Sequence, residues 1–315
     1  MAVAALWAMP GTARGQIYET NDGPNTIGEY DATTGATVNS SLVSGLNGPT
    51  GIVVSGGNVW VANYFANAIG EYNATTGATV NSSLISGLNR PYGIAVSGGN
   101  LFVANYGANT IGEYNATTGA TVNSSLVSGL SGPIFIALSG GNLFVGNSAA
   151  NTIGEYNATT GATVNSSLVS GLSNPYGIAV SGGNLWVANA GNGTIGEYNA
   201  TTGATINASL VSGLSDPYGI AVYGGDLFVA NFGTNSIGEY DATTGATVNA
   251  SLVSGLGQYS PFGIDVVPDS ASTWMLLLLG IVPVLGMNLL LHRRAEARNT
   301  GHLFGVAQRR CSRKI

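Results

Sequence analysis

Six glutamates stand at one spacing along the chain: Glu29, Glu71, Glu113, Glu155, Glu197 and Glu239, each 42 residues after the last. Carboxylates in such number invite two chemistries, cation binding and general acid–base catalysis. A cation wants several oxygens within about 2.5 Å, so a sixfold set serves only if the fold gathers it at one point. Acid–base work at neutral pH usually recruits His, or a carboxylate tuned by its surroundings. Between residues 16 and 267 there is no His, no Cys and no Lys. Nor is there an EF-hand-like Asp pattern, a Gly-rich phosphate loop with Lys, or a nucleophile elbow. No metal and no cofactor is expected, and each Glu is read as accepting hydrogen bonds from a neighbouring unit.

A second set varies from copy to copy. After the proline of each unit come Thr50, Tyr92, Ile134, Tyr176, Tyr218 and Phe262, while Tyr64, Phe65, Tyr106 and Phe232 lie on short connections. Arg90 is the one basic residue between 16 and 267. Aromatic faces in a concave opening suit stacking on sugar rings or apolar side chains, and an arginine there would fix an anionic group. The same rings would equally serve to plug a channel and pack on the prolines.

What must position both sets is a repeat. The tetrapeptide IGEY begins at Ile27, Ile69, Ile111, Ile153, Ile195 and Ile237, always 42 residues apart. A period of that length with four short strand signals indicates a β-propeller blade. One unit reads PYGIAVSGGNLFVANYGANTIGEYNATTGATVNSSLVSGL, from Pro91 to Leu130. GIAV is the innermost strand, LFVAN the second, TIGEYN the third and TVNSSLVSGL the outer one. The turns SGGN and NATTG separate them, with Gly where φ must be positive. The third strand lies far from the axis, so the glutamates are spread around the ring and not gathered. Asn21, Asn63, Asn105, Asn147, Asn189 and Asn231 close the second strands and are read as turn formers.

Phase decides the blade count. The body opens on a second strand, GQIYETN, and ends on a lone first strand, residues 263–267. That last strand completes the first blade, which closes the ring and removes exposed sheet edges. The fold class is all-β: a six-bladed β-propeller over residues 16–267. In an up-and-down blade the two varying connections emerge on one face, with the constant SGGN and NATTG turns on the other.

Charge and the ends set the surroundings. Charged residues are 8% of the chain, and the body holds thirteen acidic residues against one base. An acidic body excludes nucleic acid as partner, because phosphate binding needs a basic face. The single cysteine, Cys311, permits no intramolecular disulfide. Residues 1–15 have an apolar stretch followed by small residues, with Ala13 and Gly15 placed for signal-peptide cleavage after Gly15. Residues 274–291 carry no charge over 18 positions, enough for a spanning helix, and Arg293, Arg294 and Arg298 follow at once. A basic tail, residues 295–315, would stay in the cytoplasm with the propeller outside. The N-x-S/T triplets, such as Asn73–Thr75 and Asn81–Ser83, come as wording of the repeat.

The body resembles the YVTN and NHL families of propeller repeats, carried by LFVANYGANTIGEYNATTG, although Glu stands where that pattern has a second aliphatic residue. Residues 268–294 resemble the PEP-CTERM sorting signal in its VPDSG-type variant, carried by Val267, Pro268, Asp269 and Ser270 with the Arg293–Arg294 pair; Ala271 replaces the variant's Gly. That resemblance implies recognition by a membrane-embedded exosortase-like enzyme. The expectation is an exported, surface-anchored binding or structural module, for a polysaccharide of an extracellular matrix or a surface protein. The alternative is a propeller enzyme, a lyase or lactonase acting on a sugar or cyclic ester.

Overall fold

The computed structural model describes residues 15–268 other than residue 259. They form six four-stranded antiparallel sheets. Blade 1 is assembled from Ile264–Pro268, Gly15–Asn21, Thr26–Asp31 and Thr37–Ser44, in that spatial order. Blades 2 to 6 follow in sequence over residues 49–85, 91–127, 133–169, 175–211 and 217–253. The closing strand pairs from Gly15 opposite Pro268 to Glu19 opposite Ile264. The ring is thus one residue longer at each end than the sequence indicated, and Val267 and Pro268 of the expected sorting motif lie in its closing strand. Asp269, Ser270, Arg293, Arg294, the span 274–291 and residues 1–14 fall outside the described residues. Among the described residues no helix is long and apolar enough to cross a membrane.

Each blade is apolar on both faces along its middle strands, so neither face is buried until another blade covers it. Six core clusters satisfy this, each drawing on two adjacent blades. Between blades 2 and 3, for example, Trp60, Ala62 and Ile69 meet Ile94, Leu101, Val103 and Tyr114. Ile17 and Tyr30 of blade 1 pack on Ala221, Phe228 and Ile237 of blade 6, so the seam is closed by the same kind of core. A fully buried Leu or Ile such as Leu101 or Ile111 contributes about 1.5–3 kcal/mol.

The third strand IGEY needs its glycine for a packing reason. A Cβ on Gly112 would come within 2.6 Å of the Tyr114 hydroxyl, because side chains two apart share a face and the tyrosine folds back over the gap. The outer strand is exposed over its TVNSS half and buried at Leu126 and Val127. Its edge is protected by a bulge: Ile111 faces Val127 while Glu113 already faces Asn123.

The turns follow their chemistry. Gly77 has φ +68°, and a Cβ there would strike the Leu42 carbonyl of the preceding blade. Asn73 Oδ1 accepts from the Thr75 and Thr76 N–H groups at 3.1 and 2.9 Å, an Asx turn. The asparagines that close the second strands open the turns that follow: Asn105, Asn147 and Asn189 C=O accept from Ala108, Ala150 and Asn192 N–H at 3.1, 3.2 and 3.4 Å. They are also buried, and Asn63 Oδ1 accepts from Asn47 N–H at 3.1 Å on the lead-in to the same blade. The left-handed turn position belongs to Asn25, Asn67, Asn109, Asn151 and Asn235 instead. Four of these also tie blades together: Asn25 Oδ1 accepts from Gly48 N–H at 2.9 Å, with the same bond from Asn67 to Arg90, Asn109 to Gly132 and Asn151 to Asn174.

Candidate functional site

The two variable connections do emerge on one face, held to each other by backbone bonds. Tyr64 N–H donates to Gly48 C=O at 2.9 Å, and Tyr106 N–H to Arg90 C=O at 3.1 Å. At the centre of this face the six innermost strands begin, and each sends the residue after its proline toward the axis. The rings meet there. Tyr92 lies 6.2 Å from Tyr176, 5.5 Å from Phe262, 5.9 Å from Tyr64 and 6.0 Å from Tyr106, centroid to centroid. Tyr176, Tyr218 and Phe232 form a stack with separations of 4.3 and 4.6 Å and planes within 19°. All of the aromatic residues expected at the mouth are therefore brought together. Arg90 sits on the rim with its guanidinium carbon 6.0 Å from the Tyr64 ring centre.

The rings close the channel and still leave a cavity. It measures about 360 Å³ and is lined by Tyr64, Phe65, Tyr92, Tyr106, Tyr176 and Phe262, with Asp22 and Asn174 among its polar groups. Tyr218 and Phe232 stand behind Tyr176 and support it. Burial holds the Tyr92 hydroxyl well above its ordinary pKa, with the hydrogen-bonded Tyr176 hydroxyl adding to it. The Tyr218 hydroxyl is pushed up by burial, then by Tyr176 and Asp216. Burial also raises the Asp22 carboxyl. Phenols held protonated are hydrogen-bond donors and stacking surfaces, not bases.

Arg90 carries a conformational cost. Its φ is +51°, the left-handed region, at a position where other blades place Gly48, Gly132, Asn174 and Asp216. Gly, Asn and Asp adopt that region readily, whereas a long side chain gives up about 1–2 kcal/mol. A strained exposed arginine at the edge of a cavity fits a residue kept for what it touches.

One residue of the site was not anticipated. The innermost strands carry a ring of glycines, Gly51, Gly93, Gly177, Gly219 and Gly263, because neighbouring strands crowd together at the axis. A Cβ on Gly177 would meet the Tyr218 carbonyl at 2.2 Å, and one on Gly93 the Ile134 carbonyl at 2.5 Å. Blade 4 has Phe135 at this position. Its ring lies 5.8 Å from Tyr92, beneath the mouth, and forms the boundary between the mouth and the channel below. The copies of the repeat show it: PIFIAL stands where the others read PYGIAV, PTGIVV or PFGIDV.

The glutamate ring is spread around the molecule as expected, but its partners differ from expectation. Glu71, Glu113, Glu155 and Glu197 accept from Asn58, Asn100, Asn142 and Asn184 at 2.7–2.8 Å, all within one blade and not from a neighbouring one. The reason is register: the residue after this Asn is followed by the one paired with Glu, as Phe102 pairs with Glu113, so the two polar side chains share a face. In blade 6 Asp226 replaces the asparagine, and burial followed by the neighbouring carboxylate raises both Asp226 (from Asp241) and Glu239 (from Asp226). Among the described residues no group of three or more His, Cys, Asp or Glu could hold a metal ion.

Over residues 4–284 the sequence matches the virginiamycin B lyase family. The chain belongs to that family. Its propeller is similar to a chain of a nidogen/laminin complex, at 18% identity and a TM-score of 0.68, covering 80% of this chain and 98% of that one. It is similar also to a streptogramin B lyase, at 22% identity and TM-score 0.59, over 78% of this chain and 85% of that one. A third similar structure is a virginiamycin B lyase from Staphylococcus aureus, made catalytically inactive by exchanging one histidine for alanine and bound to quinupristin, at 21% identity and TM-score 0.57, over 78% and 86%. No curated protein matches by sequence. At these identities the structures establish a shared fold.

Two further departures from the repeat place carboxylates inside this lyase-family ring. Glu19 stands where other blades have Val61, Val103, Val145, Val187 and Val229, and it is fully buried. Its Oε1 accepts from Asn21 Nδ2 and from the Tyr30 hydroxyl at 3.2 Å, while Oε2 has no hydrogen-bond partner among the described residues. Burial pushes its pKa up to about 7, against the lowering effect of those two bonds. Asp265 stands where Ala95 and Ala221 do, and burial lifts it to about 6 although two backbone N–H groups bond it. Both signals are legible by aligning the copies.

Proposed function

We propose that this virginiamycin B lyase-family propeller is an exported, surface-sorted binding module whose ligand enters the aromatic mouth. The observation that carries this reading is the cavity of about 360 Å³ walled by Tyr64, Tyr92, Tyr106, Tyr176 and Phe262, with the Arg90 guanidinium carbon 6.0 Å from the Tyr64 ring centre. Such a wall takes the flat face of a sugar ring or an apolar side chain, and Arg90 adds an anionic contact, so an acidic surface polysaccharide suits it. Export rests on the apolar segment at 274–291, the basic residues after it and the resemblance of residues 267–270 to a sorting motif. An exosortase-like enzyme is the proposed processing partner.

A second reading, a lyase, is favoured by the family. Against it stands chemistry: the relative from Staphylococcus aureus loses catalysis with one histidine, and the two histidines here, His292 and His302, lie beyond the propeller. Tyr92 and Tyr218 of the mouth are held protonated and do not replace a base.

Replacing Tyr92, Tyr176 and Tyr218 together with Ala is expected to abolish retention on extracted surface polysaccharide, with the far-UV spectrum of an all-β fold kept. Undiminished retention by the folded triple variant would exclude the mouth as the site. Incubation of the unaltered protein with quinupristin, followed by mass spectrometry, separates the second reading: conversion to a product at neutral pH would establish an enzyme.

A further inference from the structure

Below Phe135 the channel opens into a second space, separate from the mouth. It measures about 290 Å³ and runs down the inner strands past Ile94, Ile178 and Ile220 to Val96, Val180 and Val222, next to the turns of the opposite face. Nearly every wall residue is aliphatic. Among the described residues lining it, the single ionisable one is Asp265, on the closing strand.

The carboxyl group of Asp265 is well placed and uncompensated. Oδ2 accepts from the Val54 N–H of blade 2 at 2.8 Å, and Oδ1 from Val266 N–H at 2.9 Å. These bonds fix its orientation across the blade 1–blade 2 junction and leave a lone pair free on each oxygen. Among the described residues no positive charge accompanies it. The one basic residue between 16 and 267 is Arg90, which belongs to the mouth on the other side of Phe135. A desolvated carboxylate is ordinarily paired with a cation. Here the natural partner would come from outside, along an aliphatic wall.

We infer that the lower channel is a binding site for a small alkylammonium compound, its chain against the isoleucines and valines and its ammonium group on Asp265. The wall supplies apolar burial, and the fixed carboxylate supplies a charge-assisted hydrogen bond. Ligand selectivity follows from the pair: a neutral chain of equal length gains the first term and lacks the second.

Calorimetric titration of the full-length protein at pH 7.5 with n-hexylammonium chloride, n-hexanol and ammonium chloride tests this. Hexylammonium is expected to bind at least tenfold more tightly than hexanol, and ammonium alone not measurably. Asp265→Asn keeps an acceptor for the Val54 N–H and is expected to erase that preference. Val180→Phe, which fills the channel and leaves the carboxylate in place, is expected to remove binding of both chains. The triple alanine variant of the mouth is expected to bind hexylammonium unchanged, which separates this site from the one above. Equal affinity for hexylammonium and hexanol in the unaltered protein overturns the inference, as does undiminished hexylammonium binding by Val180→Phe. Both readouts stand even if Asp265→Asn fails to fold.

Discussion

Glu19 shows what one substitution within a repeat does to the energetics of the ring. A valine site between blades 1 and 6 has received a carboxyl group with one oxygen unpaired. Its pKa rises from 4.5 to about 7, so the folded state holds the proton more tightly than the unfolded chain. The stability it allows is complete below pH 4.5 and is lost as the pH climbs through 7. The difference corresponds to roughly 3 kcal/mol. Glu19→Gln removes this dependence. Urea denaturation is expected to find the variant more stable by up to roughly 3 kcal/mol at pH 8, with the gain below about 1 kcal/mol at pH 5. A constant difference between the two pH values would contradict the burial of a titrating group there. Asp265, Asp226 and Glu239 shift in the same direction, so the comparison is between variant and parent and not along one curve.

At the scale of the strand, the axis is a place where backbone touches backbone. Gly177 and Gly146 illustrate opposite outcomes of one change. An Ala at 177 would put Cβ 2.2 Å from the Tyr218 carbonyl, and neither strand can retreat without opening the ring. Gly177→Ala is expected to cost about 1–3 kcal/mol and to lower the melting temperature. Gly146 occupies a second-strand position where other blades have Ala62, Ala104, Ala188 and Ala230. Its nearest neighbours for a Cβ are the flexible Ile178 Cδ1 and the Tyr176 carbonyl, both at 3.3 Å. Gly146→Ala is expected to stabilise by about 0.4–1 kcal/mol, through a less flexible unfolded chain. Thermal melts of the two variants side by side check both signs. The inner ring also explains why the mouth is aromatic: with Cβ excluded at the glycine, the residue before it is the last that can send a side chain across the axis.

For the whole molecule, closure is the decisive contact. Residues 263–268 supply the inner strand of blade 1, the Gly263 C=O that accepts from Thr20 N–H at 3.0 Å and the Asp265 bond to blade 2. Without them the inner edge of Gly15–Asn21 and one side of two interblade cores are open to water. A chain ending at residue 258 is expected to melt well below a chain ending at 268, or not to fold, as read by scanning calorimetry. Coincident melting of the two would mean that the ring does not depend on its seam. The closing strand ends on Pro268, the second residue of the motif of the proposed sorting signal, so the ring and that signal share residues.

Blade count, phase and the face carrying the mouth were legible in the primary structure, because a strict 42-residue period leaves one way to pair the strands and the strand order then assigns every connection to a face. The convergence of Tyr92, Tyr176, Tyr218 and Phe262 followed from the same register. Other features awaited the coordinates for physical reasons. The asparagine that meets each Glu depends on strand pairing across a turn, and the glutamates accordingly found partners in their own blades. Whether the mouth keeps a cavity depends on ring tilts, which spacing does not determine. Phe135 lies in one strand, but only the approach of neighbouring backbones makes it a floor. Asp265 and Glu19 stand out against the other copies of the repeat, but tertiary packing decides that one faces an aliphatic channel and the other the seam between blades 1 and 6.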